Sequence, residues 1–306
     1  MKNKLYGFRC ITFILAFCIA GNTFGKTLSF TDKQKVKKKS QFSNEGRKLQ
    51  TSDDTTHQIQ TVSITDYGAI GDGQQDDALA IQTALDCGAQ IVIIPPGIFN
   101  IGSTLLIGSG VTLKADPNAV IRLADGAGNH VSIFLIANRN PGNGNSNIII
   151  EGGIWDGNNE HNQRGKDGDL FGYTGTAINF VNVKNLVLKN LTVRNPDAFS
   201  IRVGEVENFL IEGIILDHSV IRHNQDGIHI GGFSHDGIIR HIQAIHPNTP
   251  NDDMIAINAD DNVERVINLG MRRGPIHDIL VEDIEADGAY NFVRLLSKVS
   301  LIENII

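Results

Sequence analysis

Three aspartates stand where they could do chemistry together. Asn224-Gln225-Asp226 leads into Gly227-Ile228-His229-Ile230, and Asn251-Asp252-Asp253 leads into Met254-Ile255-Ala256-Ile257. Asp226 and Asp253 lie 27 residues apart. The same layout recurs upstream, where Asn195-Pro196-Asp197 precedes Phe199-Ser200-Ile201-Arg202-Val203. A fixed period of roughly 20–50 residues marks a solenoid, in which residues one period apart become neighbours. Stacking would therefore gather Asp226, Asp252 and Asp253 on one outer face. Crowded carboxylates cannot all ionise freely, so at least one should hold a proton near neutral pH. A protonated acid beside an ionised base is what glycosidic cleavage requires, and a separation of roughly 6.5–9.5 Å would admit the water of an inverting reaction. Two plainer readings stand beside this one. Aspartates suit turns for their backbone geometry alone, and Asp252-Asp253 could form part of a calcium shell. Asp236, Asp260 and Asp261 read as loop carboxylates.

Alternate residues of a strand face opposite ways. With Ile178, Ile201, Ile228, Ile255 and Val293 taken as equivalent and inward, the outward column is Asn179, Arg202, His229, Ala256 and Arg294. Ala256 would leave room for a sugar ring, and the arginines would suit carboxylates or sulfates on a linear polymer. Asn179, Arg202, Asn224, His229 and Arg294 are thus the expected substrate contacts. His229 reads as an outward residue able to hydrogen-bond a sugar hydroxyl or a neighbouring Asp, rather than as a base.

The elements that must position these residues are short strands. One family contains Asn147-Ile148-Ile149-Ile150, Asn185-Leu186-Val187-Leu188, Asn208-Phe209-Leu210-Ile211, Gly237-Ile238-Ile239 and Asp278-Ile279-Leu280-Val281. Gly152, Asn190, Gly213 and Asp283 follow at residue types that tolerate a left-handed corner. Stacked Asn side chains could form hydrogen-bonded ladders. The second family contains the equivalent residues named above, at steps of 23, 27, 27 and 38. The last step holds an insertion around residues 262–273. Two or more parallel strands per turn, without long helices between them, define a parallel β-helix. Asp76-Asp77 before residues 78–85 reads as the N-cap of an amphipathic helix of about three turns that covers the open end of the solenoid. Tyr67-Gly68-Ala69-Ile70-Gly71-Asp72-Gly73 lacks the Lys-Ser/Thr ending of a phosphate loop. Residues 157–174 read as a long loop overhanging the face.

The chain has 306 residues. Lys2, Lys4 and Arg9 before the apolar run at residues 11–20 make residues 1–25 a secretory signal, too short to span a bilayer. Residues 26–58 read as a disordered polar linker, and residues 59–306 as the β-helix domain. Outside the signal only Cys87 remains, so no intrachain disulfide can form. From residue 51 onward 16 Lys and Arg stand against 32 Asp and Glu, which argues against nucleic acid as a partner. A secreted or periplasmic monomer without an integral membrane segment is expected, its partner a polysaccharide. The apolar run Leu301-Ile302-Glu303-Asn304-Ile305-Ile306 reads as a β-helix cut in mid-pattern.

Asp66-Tyr67-Gly68-Ala69-Ile70-Gly71-Asp72-Gly73 with Asp76-Asp77 resembles the N-terminal signature of the pectate-lyase-like β-helix superfamily. Asn224-Gln225-Asp226-Gly227-Ile228 is similar to the Asn-Thr-Asp-Gly motif of family 28 glycoside hydrolases, the polygalacturonase family. Asp252-Asp253-Met254-Ile255-Ala256-Ile257 is similar to that family's Asp-Asp-Cys-Ile-Ala-Ile motif, and Asn190-Leu191-Thr192-Val193-Arg194-Asn195-Pro196 with Phe199-Ser200-Ile201 fits its preceding coil. The resemblance covers roughly residues 62–298. It implies an all-β, single-stranded right-handed parallel β-helix, and inverting hydrolysis of galacturonate-type glycans such as pectin without a metal or other cofactor. Asp252 would be the general acid, with Asp226 and Asp253 activating water. Two motifs depart from the pattern. The coil Ala286-Asp287-Gly288-Ala289-Tyr290-Asn291-Phe292 has no His where the family has Gly-His-Gly, and Arg294 and Lys298 do not match the spacing of its Arg-Ile-Lys motif. Two alternatives share the fold: a calcium-dependent lyase with Arg202 or Arg294 as cationic base, and a non-catalytic β-helix that binds glycans.

Overall fold

The computed structural model describes residues 58–164, 172–268 and 270–306. The expected export signal at 1–25 lies outside the described residues, as does the linker at 26–58 apart from Gln58. Each strand pairs in parallel with strands one coil away, and the coils wind as a right-handed parallel β-helix whose single curled 19-stranded sheet has three faces: a first sheet through Leu186, Phe209 and Gly237, a second through Trp155, Val193 and Leu216, and a third through Ile178, Ile201 and Ile228. The third sheet carries the site. Its register runs Ile178↔Ile201, Ile201↔Ile228, Ile228↔Ile255 and Ile255↔Val293, so the unequal steps read from the sequence are true coil equivalences. The first sheet stacks Leu186↔Phe209, Phe209↔Gly237 and Gly237↔Ile279 in the same way. Ile178, Phe180, Ile201, Val203, Ile228, Ile230, Ile255 and Ile257 are all fully buried. Burying such a side chain stabilises by about 1.5–3 kcal/mol, and this inward apolar column locks the register.

Corners between sheets take left-handed backbone. Asn147, Asn185, Asn208 and Asp278 have φ of 57, 59, 55 and 56°. Asn185 donates to Asn147 at 2.7 Å and Asn208 donates to Asn185 at 2.7 Å, the ladder expected of stacked asparagines. Gly152, Asn190, Gly213 and Asp283 also have positive φ.

The helix Ala78–Asp86 covers one end of the core through Ala78, Ile81, Ala84 and Leu85. Gln82 bonds both the N–H and the C=O of Leu106, which satisfies an otherwise open strand edge. Its N-terminus differs from expectation. Asp77 makes no capping bond to the helix. Its carboxylate instead accepts from the N–H of Ile70 and Gly71, tying the glycine turn to the helix, while Asp76 accepts from Ala78 N and Gly102 N. The overhanging loop also differs. The described part of residues 157–174 packs onto the body: Asn159 donates to the carbonyls of Pro196 and Val220, and the Arg164 backbone N–H donates to Asp197 at 2.7 Å.

Candidate active site

Asp226 and Asp253 each stand two residues before register partners, Ile228 and Ile255, and so occupy the same place on adjacent coils. The Gly227 N–H bonds the Asp253 carbonyl at 2.9 Å, and the Ser200 N–H bonds the Asp226 carbonyl at 2.9 Å. The corner of Asn224, itself at φ 60°, is tied on both sides. Gln225 donates to Pro196 O at 2.6 Å, Asn251 accepts from Gln225 N at 3.0 Å, and Asn251 donates to Arg222 O at 2.6 Å. These bonds fix both acidic corners without using the acids. Asp226, Asp252 and Asp253 converge so that one oxygen of each lies within 4.8 Å of the others. That is tighter than the roughly 6.5–9.5 Å usual for an inverting pair, so spacing does not settle the stereochemistry. It does let one water reach two carboxylates at hydrogen-bond distance.

The three acids are not equivalent. Asp226 is 3 % exposed. Burial pushes it up to about 6 against the pull of His229, with Asp252 and Asp253 adding to the rise. The Asp252 side chain is 26 % exposed and meets solvent. Desolvation and the adjacent Asp253 raise it, opposed by Arg294, His223 and His229. Asp253 is 2 % exposed. Both its oxygens accept, from Asn291 at 2.6 Å and from Arg294 at 3.2 Å. Arg294 also lies 4.0 Å from Asp252.

The outward column is not the open floor expected of it. Arg202 is fully buried, His229 is 3 % exposed and Ala256 is 1 % exposed. The insertion folds back over them. Arg202 bonds Asn179 Oδ1 at 2.8 Å and the carbonyl of Ile267, and its guanidinium lies 5.5 Å from the Phe134 ring centre. Burial pulls it down to about 9. Arg202 is therefore a structural cation, unable to meet a substrate or to act as a lyase base. Asn179 is buried too, its oxygen taken by Arg202, and it borders a cavity of about 280 Å³ with Phe134, Ala137 and Asn138. Ala256 leaves no open room for a sugar ring.

His229 likewise does not face a sugar. Its ring lies on Phe199, centroids 4.3 Å apart and planes 10° off parallel. Nδ1 is 2.8 Å from Asp226, and Nε2 is 3.1 Å from Asp261 in an ion pair too misaligned to be a hydrogen bond. Burial opposes its charge, but the two carboxylates outweigh that and raise it to about 9. Asp261, first read as a loop residue, is thus part of the site. Phe199 and Asn291 were also missed. Asn291 was within reach of the repeat, because it stands two residues before Val293 as Asp253 does before Ile255. Asp197, the upstream corner, is buried between Arg164 and Arg222 and remote in role from the acids.

The three acids could converge on a divalent cation, but His229 and Arg294 already place positive charge on Asp226 and Asp253. That charge competes with any ion. Among the described residues no helix is long and apolar enough to cross a membrane.

Residues 61–272 match the model of the rhamnogalacturonase A/epimerase, pectate lyase-like family. The chain belongs to that family. The relatives by sequence carry names of different kinds. Plasmin and fibronectin-binding protein A of Streptococcus pneumoniae is 29% identical over 167 residues, covering 49% of this chain and 23% of that protein. The pre-neck appendage protein of Bacillus phage phi29 is 36% identical over 109 residues, covering 35% of this chain and 12% of that protein. The matched stretches thus span under a quarter of these curated relatives. The family 28 exopolygalacturonase of Yersinia enterocolitica shares the fold, with a TM-score of 0.58 at 20% identity over 81% of this chain and 58% of that one.

Proposed function

We propose that the chain is an exported glycoside hydrolase acting on acidic, galacturonate-type polysaccharides. The observation that carries this reading is the convergence of Asp226, Asp252 and Asp253, one oxygen of each within 4.8 Å, on a rigid wall. Asp252 is the most exposed of the three and is raised, as a proton donor must be. It gives its proton to the glycosidic oxygen as the bond to the anomeric carbon breaks. Asp226 and Asp253 flank the water, which adds to the anomeric carbon and loses a proton to one of them. Attack from the face opposite the leaving group inverts the centre, the outcome that the family 28 resemblance favours. Arg294, half-exposed beside Asp252 and Asp253, offers a cation to a uronate carboxylate.

A second reading draws on the sequence relatives, a plasmin- and fibronectin-binding protein and a phage appendage protein. In that reading the wall binds a surface glycan without cleaving it. Both readings place the chain outside the cell. Mass spectrometry of a pool of acidic polysaccharides after incubation separates them. Oligomers carrying one added water, lost in Asp252→Asn, support hydrolysis. Unsaturated oligomers would instead mean a lyase. Binding without product, equal in wild type and Asp252→Asn, would mean a binding protein.

A further inference from the structure

We infer that Asp261 is a positioning residue of this site, which acts on Asp226 through His229. The kinetic consequence rests on the hydrolase reading; the geometry does not.

His229 is clamped from three sides. Phe199 lies under the ring at 4.3 Å, Asp226 lies at Nδ1 and Asp261 at Nε2. A neutral imidazole carries one N–H and one lone pair. Turned either way, it would set that lone pair against a carboxylate. Only the imidazolium turns an N–H rather than a lone pair towards each carboxylate, in a hydrogen bond to Asp226 and an ion pair with Asp261. Asp261 is itself held, because its Oδ1 accepts from Asn262 N at 2.7 Å and Arg273 bonds its carbonyl at 3.0 Å.

The charges around the ring come from every neighbouring element. Arg202 precedes it in the column and Arg265 lies near Asp261 on the insertion. Asp252, Asp253 and Arg294 lie on the following coils. His223 stands on the corner before Asp226 and faces Asp252. A buried carboxylate, Asp226, and a half-buried one, Asp261, in contact with one ring leave His229 as the bridging cation.

The device exists because of the insertion. The step from Ile255 to Val293 is 38 residues against 27 for the two before it, and Asp261 stands where the extra chain leaves the third sheet. Its carboxylate thus reaches back over Ala256 to a residue one coil earlier. Without Asp261 the imidazolium loses its second partner. His229 can then be neutral, and Asp226 would no longer be paired to a full positive charge. Nothing that touches substrate changes.

The test is nitrogen NMR of imidazole-labelled protein at pH 7.5, comparing wild type, Asp261→Asn, Asp261→Glu and the remote control Asp236→Asn. His229, assigned by its loss in His229→Gln, should show both nitrogens protonated in wild type and in Asp236→Asn. In Asp261→Asn it should show one, and Asp261→Glu should restore the second. A neutral His229 in wild type overturns the inference even if Asp261→Asn does not fold. An unchanged imidazolium in folded Asp261→Asn also overturns it. On the polysaccharide that yields product, Asp261→Asn should lower kcat by about 10²-fold, the lower end of what a general base contributes, with KM unchanged. If no polysaccharide is cleaved, the hydrolase reading falls while the NMR result still decides the role of Asp261.

Discussion

The buried charge on His229 makes stability depend on pH in a specific window. Its ordinary value is 6.5 and the folded protein holds it at about 9. A basic group raised on folding stabilises in full below its unfolded value, and the contribution is lost as pH rises through the folded one. The interval from 6.5 to about 9 corresponds to about 3 kcal/mol at 1.36 kcal/mol per pH unit. For a domain of this size that is roughly a 6–12 °C fall in Tm between pH 6.5 and 9. Two other buried groups act below this window. Asp226, raised to about 6, makes stability fall as pH rises from 3.8 to that value. His218, lowered by burial to about 4, makes stability rise with pH between there and 6.5. Thermal melts followed by circular dichroism at pH values across the window, in wild type and in His229→Gln/Asp226→Asn, provide the assay, the second change removing the acid that His229 otherwise pulls down. Wild type should lose stability with rising pH while the double variant stays nearly flat. A wild-type Tm that moves by less than about 2 °C, or the same fall in both proteins, would refute the buried imidazolium.

Other substitutions test how the coils hold the site. A Cβ on Gly237 would meet the Phe209 ring at 2.1 Å, so Gly237→Ala should cost about 1–3 kcal/mol in urea denaturation. Adding Phe209→Leu should return part of that loss, because the two residues are register partners. Asn185 sits at φ 59° and bonds ladder neighbours on both sides. Asn185→Ala should lose about 1–3 kcal/mol, with Asn185→Gly recovering the backbone share. Asp260 accepts from the Ser300 hydroxyl and from the backbone N–H of Val299, Ser300 and Lys298, which together hold it well below the usual carboxylate range. Asp260→Ala should speed amide exchange at residues 298–300 while Asp252 remains functional by product analysis.

Much of the frame was legible in the residues themselves. Apolar positions at 178, 201, 228 and 255 are buried and fall in register because a strand shows its buried face every second residue, whatever the coil length; Val293 keeps the register but is exposed on the last coil. The asparagines and glycines at the corners announce left-handed backbone for a local steric reason. The same local logic brought Asp226 and Asp253 onto adjacent coils.

What covers a face is a different matter. Alternation places Arg202 and His229 outward, and both are outward, yet they are buried. The insertion that lies over them meets them only through contacts far apart in sequence, such as Arg202 with Ile267. Asp261 is hidden for the same reason, since its partner His229 belongs to another coil. Sequence by itself determined the coil, its register and the meeting of three aspartates, because each follows from local backbone preference and a two-residue period. Only the tertiary structure decided which side chains meet solvent and which hold one another. Those outcomes depend on how a long excursion of chain packs back, and no local pattern records that.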